Sequence, residues 1–221
     1  MSQWVLIEPV RHQVAIAGRV INAQTKKAIG GANVMITKAP EEFTKWLNLK
    51  SLQYGNHWQV MVERPDRTRS AVDGHFHFLD LPNGEYRLTT SLLGAGKRYD
   101  TALVGITVSR QNDKIIMATA DIALPPTTIK GKISDQNGDP VVLAEVWVNR
   151  STESAYSNQQ GQYLLMELEA SEKQERTVMV SAPGYEIASV EVLLSQAGVE
   201  KTLDFVLKRR NSVSTVSGAS Q

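Results

Sequence analysis

Residues 71–88 read AVDGHFHFLDLPNGEYRL, and the alternation inside this stretch decides the fold. In His75–Phe78, two histidines alternate with two phenylalanines, and successive side chains of a β-strand point to opposite faces. Turn-forming residues flank the segment at Asp73–Gly74 and at Pro82–Gly84. The pattern predicts a strand with both phenyl rings in a core and both imidazoles in solvent.

The same stretch recurs later in the chain, and internal repeats have to be considered before single motifs. Gly74–Leu81 aligns with Gly161–Leu168, with the same spacing from the glycine to the final leucine. The second copy has Gln162 and Leu164 where the first has histidines, so the repeat does not require the imidazoles. Two upstream pairs of segments also align: Ile16–Val20 with Ile129–Ile133, and Ala32–Ile36 with Ala144–Val148.

Each copy consists of short alternating segments separated by Gly, Pro, Asn and Asp turns, which is typical of an antiparallel sandwich. We therefore predict an all-β chain with two tandem antiparallel β-sandwich domains and one helical insertion in the first. The predicted organisation is an N-terminal segment 1–13, a first domain 14–124, a Pro-rich linker 125–128, a second domain 129–208 and a disordered tail 209–221.

The motifs of both copies resemble the carboxypeptidase regulatory-like β-sandwich family, which is close to the transthyretin-like fold. In the first copy the likeness rests on Gly18–Val20, Gly31–Ile36 and Asp73–Tyr86. The second copy lacks the Pro-x-Gly-x-Tyr turn, but it ends in Ala-Pro-Gly-Tyr at Ala182–Tyr185.

The resemblance covers residues 14–124 and 127–208 and is more informative about fold than about function. Members of the family are non-catalytic appendages of peptidases, parts of surface proteins, or neighbours of contractile, phage-tail-like injection machines. The resemblance therefore implies a structural or interaction protein, an accessory component of such an injection apparatus, with other proteins of an assembly as partners.

Composition bounds the remaining classes. The chain has 221 residues, a net charge of +1 and no cysteine, so disulfides and thiolate metal sites are excluded. A nucleic-acid-binding domain would be more basic. The apolar run Trp4–Ile7 is too short for a signal sequence or a membrane span. We expect a cytoplasmic protein, or one carried in a larger particle, without a cofactor.

Residues 37–71 of the first copy are longer than a sandwich loop requires. Pro40 followed by two glutamates favours a helix start, and we predict a helix over about residues 40–54. A strand-like segment follows at residues 58–62. The apolar residues of the helix, including Trp46 and Leu49, pack on the sandwich, contact a partner protein or contact a membrane. All three alternatives remain open at this point.

The His75 and His77 pair on one strand face can hold a transition metal only weakly, because structural and catalytic sites need three or four ligands. Only His12 and His57 remain elsewhere, and we predict no metal site. Intradiol dioxygenases place their His-x-His after a Gly-x-Tyr-Pro turn, whereas here the pair precedes the turn. We predict no enzyme, and a sandwich-fold dioxygenase or hydrolase remains an alternative.

Two further groups are candidate contact residues. Arg64, Arg67 and Arg69 form either a solvated loop or an anion site. Exposed tryptophans would provide a stacking surface for sugars, so a carbohydrate-binding module is the other alternative. Alternation places Trp147 on the strand face opposite Val146 and Val148. The candidate partner-contact residues are Trp46, Leu49, Trp58, Trp147, Arg64, Arg67 and Arg69, with Trp4 as a further stacking candidate.

Overall fold

The computed structural model describes residues 12–61, 64–112 and 114–210. The predicted N-terminal segment, the predicted tail and Trp4 lie outside these residues, apart from His12, Gln13, Arg209 and Arg210. The chain divides into two compact units. Unit 1 comprises Met1–Gly96 and Thr101–Pro125, and unit 2 comprises Lys97–Asp100 and Pro126–Gln221.

Unit 1 is built from strands, with two helices between the second and third strand. The strands are β1 (Val14–Asn22), β2 (Asn33–Lys38), β3 (Arg67–Arg69), β4 (His75–Leu79), β5 (Gly84–Ser91), β6 (Ala102–Gln111), β7 (Lys114–Ile116), β8 (Ala118–Thr119) and β9 (Ile122–Leu124). The helices are α1 (Glu41–Tyr54) and α2 (His57–Val60), and Leu93–Ala95 forms a 3-10 turn.

Unit 2 is built from strands throughout its described residues. They are β10 (Thr128–Asp135), β11 (Glu145–Val148), β12 (Ser154–Tyr156), β13 (Gln162–Leu165), β14 (Arg176–Ser181), β15 (Ala188–Val192), β16 (Glu200–Thr202) and β17 (Phe205–Leu207). Lys97–Asp100 belongs to this unit, and the Thr127 amide donates to the Arg98 carbonyl at 2.8 Å.

Both units have the same strand order, except that unit 1 has the additional edge strand β7. One sheet of unit 1 is β4-β1-β8 with β9 on β1, and its counterpart in unit 2 is β13-β10-β16 with β17 on β10. The other sheets are β3-β2-β5-β6-β7 and β12-β11-β14-β15. Most ladders are antiparallel, but the last strands of each unit run parallel to its first strand. The predicted all-β fold with a helical insertion is confirmed.

The quoted stretch forms β4 as the alternation predicts. Phe76 and Phe78 are buried, each 3% exposed, and their rings meet edge-on at 6.3 Å. His75 and His77 lie on the exposed face. Burial of two phenylalanines contributes roughly 3–6 kcal/mol, at about 1.5–3 kcal/mol for each ring.

In each unit one glycine of the first strand lets the backbone of a later segment come into close contact with that strand. A Cβ atom on Gly18 would lie 1.9 Å from the Ala120 carbonyl oxygen, and one on Gly131 would lie 1.9 Å from the Leu203 carbonyl oxygen. Just after each glycine, a backbone amide donates to an aspartate: Arg19 to Asp121 at 3.0 Å, and Lys132 to Asp204 at 2.7 Å. The recurring glycine is therefore required by the parallel closure of the sheet.

A buried serine bridges two loops in each unit. Ser70 Oγ accepts from the Ala32 amide at 2.9 Å and donates to the Ile29 carbonyl at 2.7 Å. In unit 2, Ser157 Oγ accepts from the Ala144 amide at 2.9 Å and donates to the Val141 carbonyl at 2.7 Å. Each hydroxyl satisfies a backbone donor and acceptor that have no access to water. Sequence reasoning missed these serines, although each stands four residues before an aligned glycine, Gly74 or Gly161.

The turn after β10 is organised by Asp135, which is 3% exposed. Burial alone would raise the pKa of this carboxyl, but hydrogen bonds from the Asn137 and Asp139 amides and from Arg209 lower it below its usual 3.8. Asn22 is the counterpart in unit 1, where its side-chain oxygen accepts from the Gln24 amide at 2.9 Å. The carboxylate holds the turn most strongly when it is ionised.

The predicted strand at residues 58–62 is wrong. His57–Val60 forms the short helix α2, and Val62 lies outside the described residues. Gly55 ends α1 with a φ of 55°, and its carbonyl accepts from the Trp58 amide at 3.1 Å. The chain therefore turns back on α1 and continues as a short helix, so the local alternation does not produce a strand.

Candidate protein-contact site on the helical insertion

Helix α1 begins after Pro40 and extends to Tyr54, as its sequence predicts. Glu41 pairs with Lys45 at 2.7 Å, one helical turn apart. Phe43 is the one α1 residue classed as buried, and it meets Tyr86 of β5 edge-on at 6.0 Å. The helix is therefore attached to unit 1 chiefly through its first turn.

The rest of the helix exposes large apolar side chains. Trp46 is 41% exposed, Leu49 is 67% exposed and Leu52 is 78% exposed. These three residues follow one another at intervals of three, which makes each a neighbour of the next on the helix surface. We call Trp46, Leu49 and Leu52 the α1 face. Of its members, sequence reasoning named Trp46 and Leu49, and it missed Leu52.

Trp58 is placed differently from the other tryptophan of the insertion. It is 8% exposed, stacks on Tyr54 at 5.9 Å and lies under the Arg64 guanidinium at 4.7 Å. It is a packing residue of the α1–α2 hairpin, and neither partner contact nor sugar stacking can use its covered ring. The expectation for Trp58 is corrected on this ground.

The arginine segment is only partly a solvated loop. Arg64 and Asp66 form a two-point ion pair, with nitrogen–oxygen distances of 2.8 and 2.6 Å, and their side chains are 12% and 8% exposed. Arg64 also donates to the Trp58 carbonyl at 3.2 Å. Arg69 is exposed on the edge strand β3. Arg64 is therefore committed to holding the hairpin, while Arg69 faces solvent.

A cavity of about 650 Å³ lies beside the α1 face, within unit 1. Its apolar walls come from Phe43 and Trp46 of α1, from Phe78 and Leu79, and from two prolines. Its polar lining includes His12, Glu42, Arg64, Arg67, Thr68, His77 and Asp80. The cavity thus brings together Trp46, Arg64 and Arg67, three of the residues singled out from the sequence.

The charges around this cavity are unevenly neutralised. The His12 ring is hydrogen-bonded to the Asp80 carboxylate. Burial alone would raise the pKa of Asp80, but hydrogen bonds from the Gln13 amide and the His12 ring lower this pKa below its usual value. Arg67 donates to the Gln59 carbonyl at 3.3 Å and forms no ion pair with any described carboxylate. Burial raises the pKa of the nearby Tyr86 hydroxyl to about 12. Of the two arginines that line the cavity, Arg67 is therefore the one without an ion pair to a described carboxylate.

The remaining candidates do not join this site. His75 approaches Asp73 at 3.1 Å, and within the described ranges no three His, Asp or Glu side chains group as metal ligands would. Trp147 lies in unit 2, half-buried, on the sheet face opposite Val146 and Val148. Of the three tryptophans considered for sugar stacking, Trp58 is covered and Trp4 lies outside the described residues, so the carbohydrate alternative depends on Trp147.

A comparison with protein families finds a match within unit 2. Residues 128–208 match the carboxypeptidase regulatory-like domain. The match spans the strands β10 to β17, so the carboxypeptidase regulatory-like likeness of the second repeat is supported. Among curated proteins, none matches the chain.

Comparisons with solved structures find distant similarities. The shaft pilin SpaA of Lactobacillus rhamnosus GG is 10% identical, with 91% of this chain and 99% of the pilin covered and a TM-score of 0.41. A type II cohesin–X-dockerin complex of Acetivibrio cellulolyticus is 18% identical over 38% of this chain, with a TM-score of 0.32. The Bacillus anthracis TIE protein is 12% identical over 89% of this chain, with a TM-score of 0.34.

The chain covers 58% of the matched chain of the cohesin–dockerin complex and 34% of the TIE protein. Within the described residues, neither the length nor the hydropathy of any helix suits a membrane crossing.

Proposed function

We propose that the chain is a non-catalytic interaction protein in which two β-sandwich units form a scaffold and the α1 face binds another protein. The exposure of Trp46, Leu49 and Leu52 carries this proposal. In unit 2 the corresponding strands β11 and β12 are joined by residues 149–153 without a helix. The insertion is therefore additional to what the sandwich needs, and its apolar side chains serve a purpose outside the unit.

Energetics favour a partner over exposure to water. A 14-residue helix is marginal by itself, and α1 has one buried anchor residue. Burial of the α1 face would contribute roughly 1.5–3 kcal/mol per large side chain, before the cost of ordering is subtracted. Tryptophan is also enriched among residues that dominate binding energies. Arg67, at the adjacent cavity, would pair with an acidic group of the same partner.

The proposal extends the family to unit 1. The paired glycines Gly18 and Gly131, the paired serines Ser70 and Ser157, and the shared strand order support a tandem pair of carboxypeptidase regulatory-like domains. From the resemblance we further propose a place beside a contractile, phage-tail-like injection apparatus and a cytoplasmic location. Gene neighbourhood with tail sheath or tube proteins would support that placement.

Site-specific photo-crosslinking in the native cell tests the proposed contact. A crosslinking residue at Leu49 should capture one protein, whereas the same residue at Leu103 of β6 serves as the control, because the two leucines are 67% and 65% exposed. The captured protein is then purified and titrated with the full chain. Equal capture from both positions, or no capture at Leu49, would contradict the proposal.

A further inference from the structure

Unit 2 has a leucine, Leu143, at a position where unit 1 has a glycine, Gly31, and where the backbone conformation favours glycine. Gly31 and Leu143 each precede the alanine held by the buried serine, and their amides donate to the carbonyls of Ser70 at 2.8 Å and Ser157 at 3.0 Å. Both residues have positive φ, 76° for Gly31 and 56° for Leu143. Glycine adopts this conformation freely, whereas a leucine is strained in it.

Leu143 is also in an unfavourable place for an apolar side chain. It is 68% exposed, and Val142 beside it is 45% exposed. Among the non-glycine residues with positive φ in the described ranges, Leu143 is the only apolar one. Unit 1 shows that the fold works with glycine here, so neither backbone nor core explains the leucine. Strained residues of this kind cluster at functional sites.

A hollow lies directly beside this projecting leucine. It has a volume of about 420 Å³, and Tyr156, Ala182 and Pro183 are among the residues that line it together with Leu143. Tyr156 is 60% exposed. The same surface therefore carries a projecting apolar side chain and a neighbouring recess that can accept one.

Two opposite charges also line the hollow. Glu145 lies on the outward face of β11, and Arg210 follows the last bridge of the unit. Neither forms an ion pair with another described residue. The surface thus contains an unpaired acid and an unpaired base in addition to the projection and the recess.

We propose that this surface binds a second copy of the chain in a two-fold symmetric dimer. Leu143 of each copy enters the hollow of the other, and Glu145 of each copy pairs with Arg210 of the other. A two-fold interface requires a self-complementary surface, and this one contains both members of each contact.

Sedimentation velocity of the purified full chain, from about 1 µM to about 200 µM, tests the dimer. The wild type should shift from monomer to dimer with concentration. Leu143→Gly should remain monomeric, and its melting temperature, measured at the lowest concentration, should equal or exceed that of the wild type because strain is relieved. Leu103→Ala, at a comparably exposed leucine, should dimerise as the wild type does.

A charge exchange tests the geometry. Glu145→Arg and Arg210→Glu should each weaken dimerisation at least tenfold, and the double variant should recover most of the loss, because the exchanged pair can form again. A wild type that stays monomeric, a Leu143→Gly variant that dimerises normally or melts lower, or a double variant as weak as the singles would overturn the proposal. The Trp46→Ala/Leu49→Ala variant should dimerise normally, which keeps this result separate from the α1 proposal.

Discussion

Replacing Ser157 by alanine should destabilise unit 2 far more than the loss of one small oxygen atom suggests. Ser157 is 1% exposed, and its hydroxyl is bonded to both the Ala144 amide and the Val141 carbonyl. The alanine variant leaves a buried donor and a buried acceptor unpaired, at about 1–3 kcal/mol each. We expect a loss of about 2–6 kcal/mol, a large part of a stability of roughly 5–15 kcal/mol.

Native-state hydrogen exchange read by mass spectrometry measures the two units separately in the full chain. Ser157→Ala should accelerate exchange in peptides of unit 2, and Ser70→Ala should do the same in unit 1. Ser189→Ala, at an exposed position of β15, is the matched control and should change stability by less than about 0.5 kcal/mol. A Ser157→Ala effect as small as the control's would refute the bridging role of the hydroxyl.

Three further predictions follow from the packing. Gly131→Ala should destabilise unit 2 by about 3 kcal/mol or more in urea unfolding, since its Cβ would overlap a carbonyl oxygen, whereas Gly105→Ala meets open space and should be tolerated. Because the pKa of Asp135 is lowered in the folded state, its contribution to the free energy of unfolding is full above the usual 3.8 and is lost as the pH falls through the folded-state pKa. When unfolding is measured over this acid range, the Asp135→Asn variant should lack that part of the pH dependence. Phe43→Ala should cost about 3–5 kcal/mol in thermal unfolding because it removes the buried anchor of α1, while Leu52→Ala should leave the melting temperature nearly unchanged.

Local patterns in the sequence predicted the strands and α1 because their causes are local. The alternation of His75–Phe78 identifies the buried face of β4, and Pro40 with the following acids marks the start of α1. Trp147 faces outward for the same reason. These features depend on the period of a helix or strand, which a short stretch of sequence contains in full.

The features that were missed depend on residues far apart in sequence. Ser70 bonds to Ile29 across 41 positions, and the crossing at Gly131 depends on Leu203. Residues 58–62 have a strand-like sequence, but after the turn at Gly55 the chain forms the helix His57–Val60 instead. Which side of α1 is exposed could not be predicted either, because the spacing of its apolar residues fits both a packed helix and a partner surface.

Thermal unfolding and partner titration of one Trp46→Ala/Leu49→Ala preparation decide whether α1 is a contact surface, with the crosslinked partner as titrant and Leu103→Ala as the control. We expect binding weakened at least tenfold, about 1.4 kcal/mol or more, with a melting temperature within about 2 °C of the wild type. A melting temperature lowered by about 4–8 °C or more with unchanged affinity would show that these residues belong to the core of unit 1, and would contradict the assignment of α1 as a contact surface.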